Sequence, residues 1–163
     1  MQSRQPQKKL EDGGKKRKTS CDSWPTPDKS LTRGPVCVGT HFSGMETVCA
    51  SLRMCRISHE LKFACDNTKA CKQFILQNFS PATFMDDARA PMDSLPANLD
   101  LYVAGSPCQG YSKANPTAKG IKDKRSKLVF TAARFAELKK PKAILLEQVT
   151  AFRQRPHLRV FET

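Results

Sequence analysis

The sequence predicts an α/β protein built on a doubly wound, mostly parallel β-sheet. From Gly34 onward, short apolar runs alternate with segments of helical periodicity. Strands and helices that alternate at this spacing imply right-handed crossovers, which make neighbouring strands parallel. The chain has 163 residues, of which 39% are hydrophobic, so it can bury the core of one domain of this kind.

Five short apolar runs predict the strands, and turn-forming residues follow them. The first run ends at Gly39, and the fourth is closed by Gly105-Ser106-Pro107. The third run is the weakest, because it has only three residues before Asp86. The runs cover residues 36–38, 61–65, 83–85, 99–104 and 143–146.

Three segments between these runs predict helices. The first follows the glycine turn Phe42-Ser43-Gly44 and has Val48 and Leu52 on one face. The third ends before Pro141, because proline cannot continue a helix. The helical patterns cover residues 46–52, 68–79 and 128–140.

Chemically versatile side chains follow the predicted strands. In an open parallel sheet, ligands bind outside the carboxyl ends of the strands, so these positions predict the functional site. They comprise a glycine turn, several carboxylates and a cysteine. The residues concerned are Phe42 to Glu46, Asp66, Asn67, Asp86, Asp87, Pro107, Cys108, Gln109 and Glu147.

The glycine turn favours a nucleoside ligand without phosphates. Gly44 lies 22 residues before Asp66, close to the ~20 that separate a nucleotide-binding turn from the acid that holds ribose hydroxyls. The turn has a single glycine, and Glu46 at the start of the helix would repel phosphate. The alternative interpretation is an ordinary tight turn between a strand and a helix.

Cys108 and Glu147 are the candidates for covalent and acid chemistry. Cys108 follows a proline in a loop with a basic segment downstream, and nearby positive charge promotes the nucleophilic thiolate. Glu147 ends an apolar strand, where we expect burial to raise its pKa. The alternatives are a structural cysteine and a carboxylate that caps a loop or helix.

The charge distribution predicts a polyanionic partner. The chain carries a net charge of +13, of which +5 lies in residues 1–33, which we expect to be a disordered basic tail. Within that tail, residues 15–18 (KKRK) fit a nuclear-import signal, phosphate contacts or a solubilising tail. A basic loop contains one acid, Asp123, against six cations: Lys113, Lys119, Lys122, Lys124, Arg125 and Lys127.

Other sequence features indicate a soluble intracellular protein. We find neither an apolar stretch long enough for a membrane span nor a secretory signal. The seven cysteines include no C-x-x-C pair, so they predict reduced, mostly packed thiols rather than a disulfide framework or a zinc site. We therefore expect no metal and no membrane partner.

Four stretches together resemble the C5-cytosine DNA methyltransferases. The resemblance extends from about Val36 to Phe152, in the order and spacing of that family. Its most specific element is Pro107-Cys108-Gln109, followed after a helix by the acid that ends a strand. The stretches are Thr40-His41-Phe42-Ser43-Gly44, Phe63-Ala64-Cys65-Asp66-Asn67, residues 100–112 (DLYVAGSPCQGYS) and residues 125–152 (RSKLVFTAARFAELKKPKAILLEQVTAF).

The resemblance implies a Rossmann-like fold, S-adenosylmethionine as cofactor and cytosine in DNA as substrate. The cofactor would contact Phe42, Gly44, Asp66, Asn67 and Asp87, with Asp66 on the ribose and Asp87 on the adenine amino group. Cys108 would add to C6 of a flipped-out cytosine, and Glu147 would protonate N3. Pro107 would hold the cysteine loop. DNA would be contacted by Gln109, Ser112 and the basic loop, including Arg125.

The chain also departs from the pattern of this family. Glu46 and Thr47 replace further glycines, and Gln148 replaces an asparagine. After Phe152 we find neither the family's Gln-x-Arg-x-Arg segment nor its target-recognition domain. We therefore expect residues 34–163 to form a partial catalytic domain, incomplete at its C-terminus, with residues 143–146 as an exposed apolar edge.

Three functions remain open at this point. The first is a nuclear, or otherwise cytoplasmic, DNA cytosine-5 methyltransferase. The second is a catalytically inactive truncated relic that binds nucleic acid through its basic segments. The third is a tRNA cytosine-5 methyltransferase, because one branch of the same family methylates RNA.

Overall fold

The structure is a computed structural model that describes residues 34–153. The predicted tail and its KKRK segment lie outside these residues. Five strands and three α-helices form the framework of these residues, and two short 3-10 helices lie at Gly120–Lys122 and Thr150–Arg153. The strands are β1 (Val36–His41), β2 (His59–Cys65), β3 (Thr83–Met85), β4 (Leu101–Gly105) and β5 (Ala143–Glu147). The helices are α1 (Thr47–Met54), α2 (Lys69–Asn78) and α3 (Leu128–Lys139).

The strands form one sheet in the order β3-β2-β1-β4-β5, and every pairing in it is parallel. This confirms the predicted doubly wound α/β fold. The chain builds outward from β1 to β3 and then returns to place β4 on the other side of β1. Strand order therefore reverses between β1 and β4, and ligands bind at such a switch point.

β1 is longer than the sequence predicts, because Gly39 continues the strand instead of ending it. A Cβ atom at Gly39 would lie 2.3 Å from Phe63 Cε1 and 2.7 Å from Leu99 Cδ1. Glycine is therefore required for close packing within the sheet. The strand runs on to His41, which brings Phe42 and the glycine turn to the carboxyl edge.

Two apolar clusters form most of the core. One packs Val38 and Leu61 against Cys49 of α1 and Ile75 of α2. The other contains the buried residues Phe63, Met92, Leu95, Leu99, Tyr102, Ala104, Ala132 and Phe135.

A buried polar pair lies within the aromatic part of the core. His41 Nδ1 is 2.8 Å from the Tyr102 hydroxyl, and aromatic rings of Phe63 and Phe135 approach the imidazole edge-on. Burial lowers the pKa of His41 to about 4, so the ring is neutral at physiological pH. The pair joins β1 to β4 just below the carboxyl edge.

β5 forms an exposed edge of the sheet, as the sequence predicts. All five residues of the strand are exposed, and Leu145 retains 56% of its accessible surface.

In the part of the chain that the structure describes, no helix combines the length and hydropathy needed to cross a membrane.

Candidate active site

The turn between β1 and α1 is tied to the end of β2. The Gly44 amide donates a 2.9 Å hydrogen bond to Asp66 Oδ2, and Gly44 has a φ of 54°, a conformation natural to glycine. The Ser43 hydroxyl bonds to the Cys65 carbonyl oxygen at 3.1 Å and accepts the Cys65 amide at 2.9 Å. The 22-residue spacing between Gly44 and Asp66, which suggested a ligand site, thus corresponds to a direct hydrogen bond between these two residues.

Asp66 orders both neighbouring turns and still faces a cleft. While Oδ2 accepts the Gly44 amide, Oδ1 accepts the Thr68 amide at 2.8 Å, next to the start of α2. Each carboxylate oxygen has two lone pairs, so Asp66 keeps acceptor capacity for a ligand.

A cleft of about 540 Å³ lies over the carboxyl ends of β1, β2 and β3. It brings together four residues that the sequence assigns to the cofactor, namely Phe42, Asp66, Asn67 and Asp87. Gly44 is not among its lining residues and acts through Asp66. The rest of the lining is Cys65, Asp86, Ala88, Arg89, Pro107, Lys124, Arg125, Lys127, Leu128 and Thr131.

Glu46 is fully buried and does not line this cleft. Its Oε2 accepts a 2.7 Å hydrogen bond from Thr40, whose hydroxyl is also 2.8 Å from Ser43. Burial raises the pKa of Glu46, and the hydrogen bond from Thr40 opposes that shift. The carboxyl group therefore supports the turn from inside, at a residue with a φ of 54°, where glycine is the more usual residue.

Cys108 lies in a compact turn after β4. Its carbonyl oxygen accepts the amides of Tyr111 and Ser112, both at 2.9 Å, and Asn115 donates to the Gln109 carbonyl oxygen at 2.8 Å. The thiol is half-buried. A second cleft, of about 440 Å³, is lined by Cys108, Gln109, Ser112, Ala114, Asn115, Thr117 and Arg125.

Glu147 lies beside the start of this turn, but the expectation that it is buried is wrong. It pairs in register with Gly105, and its Oε2 would be 3.5 Å from a Cβ atom at that glycine. Its side chain is exposed because nothing in the described chain covers β5. The sequence placed the acid at the correct strand end but not in the correct environment.

Gln148 connects the end of β5 to the cysteine loop. Its Nε2 donates to the Ser106 carbonyl oxygen at 2.7 Å and lies 2.9 Å from the Ser106 hydroxyl. In the sequence, Gln148 stood out only because the family that this chain resembles has an asparagine there. Its position directly after the end of a strand could have indicated that it contacts the neighbouring loop.

Arg125 lines both clefts, so it lies where they meet. Its guanidinium forms a two-pronged ion pair with Asp123, with Nε to Oδ1 at 3.1 Å and Nη2 to Oδ2 at 2.9 Å. The pairing lowers the pKa of Asp123 to about 2. The lysines of the basic loop are exposed around it, at positions 113, 119, 122, 124 and 127.

Arg89 is a lining residue that sequence reasoning missed. It forms the same kind of two-pronged pair with Asp87 that Arg125 forms with Asp123. Both pairs are formed within an Asp-x-Arg segment, and the repetition of this segment could have identified Arg89 from the sequence.

The chain matches a known protein family. Residues 40–163 match the family "C-5 cytosine-specific DNA methylase". The Type II methyltransferase M.DsaV of Dactylococcopsis salina is 34% identical over 56% of this chain and 25% of its own length. M1.BsuMI of Bacillus subtilis is 29% identical over 76% of this chain and 33% of its own length. The chain thus spans about a quarter to a third of these curated relatives.

Solved structures share the fold. A Spodoptera frugiperda DNMT2 mutant superposes with a TM-score of 0.55 over 78% of this chain and 39% of its own, at 16% identity. The Dnmt2 methyltransferase of S. pombe superposes with a TM-score of 0.51 over 79% of this chain and 39% of its own, at 15% identity.

Proposed function

We propose that this chain, which belongs to the C-5 cytosine-specific DNA methylase family, carries the cofactor site and the nucleophile of a DNA cytosine-5 methyltransferase. One observation carries the proposal: the cleft containing Asp66 and Asp87 adjoins the cleft containing Cys108, and Arg125 lines both. A methyl donor in the first cleft would therefore lie beside a cytosine held in the second.

The first cleft has the chemistry expected of an S-adenosylmethionine site. Asp66 and Asp87 supply acceptors for ribose hydroxyls and an adenine amino group, while Phe42 and Asn67 complete that side of the cleft. The Gly44 amide is already bonded to Asp66, which argues against the nest of free amides that a phosphate would need. When bound, the cofactor supplies an electrophilic methyl group.

The second cleft suits a cytosine that has left the DNA stack. C5 and C6 of a paired base cannot be reached, so the base is flipped out before reaction. The Cys108 thiolate adds to C6, and a proton from Glu147 goes to N3, which leaves C5 electron-rich. Once C5 carried the methyl group, a base would remove the C5 proton, the C6–sulfur bond would break to return the Cys108 thiolate, and N3 would give its proton back to Glu147.

The basic loop would hold the DNA around this base. Exposed lysines and Arg125 neutralise phosphates without reading sequence, and Gln109 and Ser112 contact the strand beside the flipped base. Pro107 lines the cofactor cleft directly before the nucleophile and so restrains the loop between the two sites.

Transfer of tritium from labelled S-adenosylmethionine to DNA tests this function in the full chain. We expect incorporation into cytosine, its loss in Cys108→Ser, and little change in Cys55→Ser, which alters an exposed thiol elsewhere. Activity that survives Cys108→Ser contradicts the mechanism. A parallel assay on tRNA distinguishes the RNA-methylating alternative.

The exposure of Glu147 favours a second candidate, a nucleic-acid-binding protein without catalysis. An acid catalyst has to be held against the atom that it protonates, and the described chain leaves Glu147 open to water instead. Salt-sensitive DNA binding together with no calorimetric signal for S-adenosylhomocysteine would support this candidate over the enzyme.

We also propose a nuclear location, on the basis of residues 15–18 (KKRK). A fluorescent fusion of the chain is expected in the nucleus, and a fusion with residues 15–18 changed to glutamine is expected outside it.

A further inference from the structure

Arg89 and Asp87 form a clamp at the wall of the larger cleft, which both residues line. The backbone amide of Arg89 donates to Asp87 Oδ1 at 2.9 Å, and Nε donates to the same oxygen at 3.0 Å. Nη2 donates to Oδ2 at 2.9 Å. One residue therefore makes three hydrogen bonds to one carboxylate.

Among the hydrogen bonds of residues 34–153, the clamp leaves a single acceptor position on the carboxylate. Each oxygen has two lone pairs, and Oδ1 accepts two hydrogen bonds from Arg89 while Oδ2 accepts one. One lone pair on Oδ2 remains for a ligand. The bidentate contact also fixes the plane of the carboxylate, because the guanidinium fork is rigid.

The chemistry of that position selects for a hydrogen-bond donor. An ionised carboxylate accepts hydrogen bonds and donates none. Arg89 lowers the pKa of Asp87, mainly through the side-chain hydrogen bonds, and so further favours the ionised form. An amino group at position 6 of a purine can donate a hydrogen bond to the free lone pair of Asp87 Oδ2. A carbonyl oxygen at that position cannot donate, and the negatively charged carboxylate repels it.

We propose that Arg89 is a positioning residue that holds Asp87 as a single ionised acceptor and thereby makes the cleft select 6-aminopurine over 6-oxopurine cofactors. The proposal rests on the proposed function, since it takes Asp87 as the acceptor for the purine of the cofactor. It assigns to Arg89 a role in specificity that acts through Asp87.

Calorimetric affinities of the full chain for S-adenosylhomocysteine and its 6-oxo analogue, S-inosylhomocysteine, test this role. We expect wild type to prefer the 6-amino ligand and Arg89→Gln to reduce that preference by up to about fivefold, the upper end of what one exposed ion pair contributes. Arg89→Lys keeps the charge but lacks the fork, so we expect an intermediate preference.

Lys72→Gln is the matched control. Lys72 pairs at 2.7 Å with Asp86, the neighbouring carboxylate of the same cleft, and its loss leaves the Asp87 clamp intact. We expect this variant to keep the wild-type preference. Asp87→Asn is the positive control, because an amide both accepts and donates hydrogen bonds and should nearly abolish the preference.

The outcomes separate the two proposals. If Arg89→Gln weakens both ligands equally and leaves their ratio unchanged, Arg89 is structural and its selective role is overturned, while the proposed function stands. If the wild-type chain binds neither ligand, both proposals are overturned. Thermal melting of each variant confirms that the ratios compare folded proteins.

Discussion

The Gln148 side chain is bonded to Ser106, two residues before the proposed nucleophile: Nε2 lies 2.7 Å from the Ser106 carbonyl oxygen and 2.9 Å from its hydroxyl. Ser106 is buried, so its carbonyl oxygen depends on protein partners rather than water. This contact links β5 to the start of the cysteine loop across adjacent strand ends.

Replacing Gln148 should therefore loosen the cysteine loop. In Gln148→Ala we expect the rate of maleimide labelling at Cys108 to rise at least about threefold, and stability to fall by ~1–3 kcal/mol for the buried group left unpaired. Peptide mass spectrometry measures the labelling. The buried Cys49 is an internal control, and a parallel increase there would mean general unfolding instead.

The basic loop should account for part of the salt dependence of DNA binding. Lys119, Lys122 and Lys124 are exposed, and each phosphate contact contributes about 0.9 to the slope of log K against log salt. Changing all three to glutamine should reduce the slope by up to about 2.7. Fluorescence anisotropy at several salt concentrations measures it.

A control variant removes the same charge from other surfaces. The control positions all lie outside the basic loop. Lys62 is in β2, Lys69 is the first residue of α2, and Lys142 directly precedes β5. If changing these three to glutamine lowers the slope equally, binding depends on net charge and not on the loop.

Glu46 should make stability depend on pH in the direction opposite to a paired surface carboxylate. Its pKa is raised by burial, so the folded state holds the proton more tightly than the unfolded state does. The free energy of unfolding therefore falls as the pH rises from the ordinary pKa of 4.5 to the raised pKa of the folded state. Above the raised pKa it no longer changes with pH on account of Glu46. Glu46→Gln removes this dependence.

Urea unfolding between pH 5 and 8 measures the difference between wild type and this variant. We expect Glu46→Gln to gain about 1 kcal/mol relative to wild type as pH rises, because an amide carries no charge to bury. Glu60→Gln alters an exposed carboxylate paired with Lys62 and should show no such trend. A constant difference across this pH range would contradict a raised pKa.

Gly39 should tolerate no larger side chain. A Cβ atom there would meet Phe63 at 2.3 Å and Leu99 at 2.7 Å, so Gly39→Ala forces the core apart and should cost ~1–3 kcal/mol. Gly34→Ala is the matched control, because no heavy atom lies within 4 Å of its added Cβ. Chemical denaturation of both variants checks the prediction, which fails if they are equally stable.

Much of the fold was predictable, because apolar periodicity and turn residues depend on local sequence. Each of the five strands and three helices was predicted at the right place, with ends that differ by a few residues. Gly39 caused the largest error, since a glycine that ends a strand and one that fits under Phe63 look alike in sequence. The close approach becomes visible only when the neighbouring strand is in place.

The site was predictable by position and less so by environment. Because parallel strands share a carboxyl edge, the sequence could place Phe42, Asp66 and Asp87 together. It could not show that Glu46 is buried beneath the turn, nor that Glu147 is exposed, because burial depends on what packs beside a residue.

The sequence by itself determined the order of the elements, the residue types at each strand end and the resemblance to one family. Only the tertiary structure decided which of these residues touch. Contacts such as Gly44 with Asp66 and Gln148 with Ser106 join residues 22 and 42 positions apart. They form because crossovers bring distant strand ends to one edge, where hydrogen bonds depend on ångström-scale geometry that no local pattern encodes.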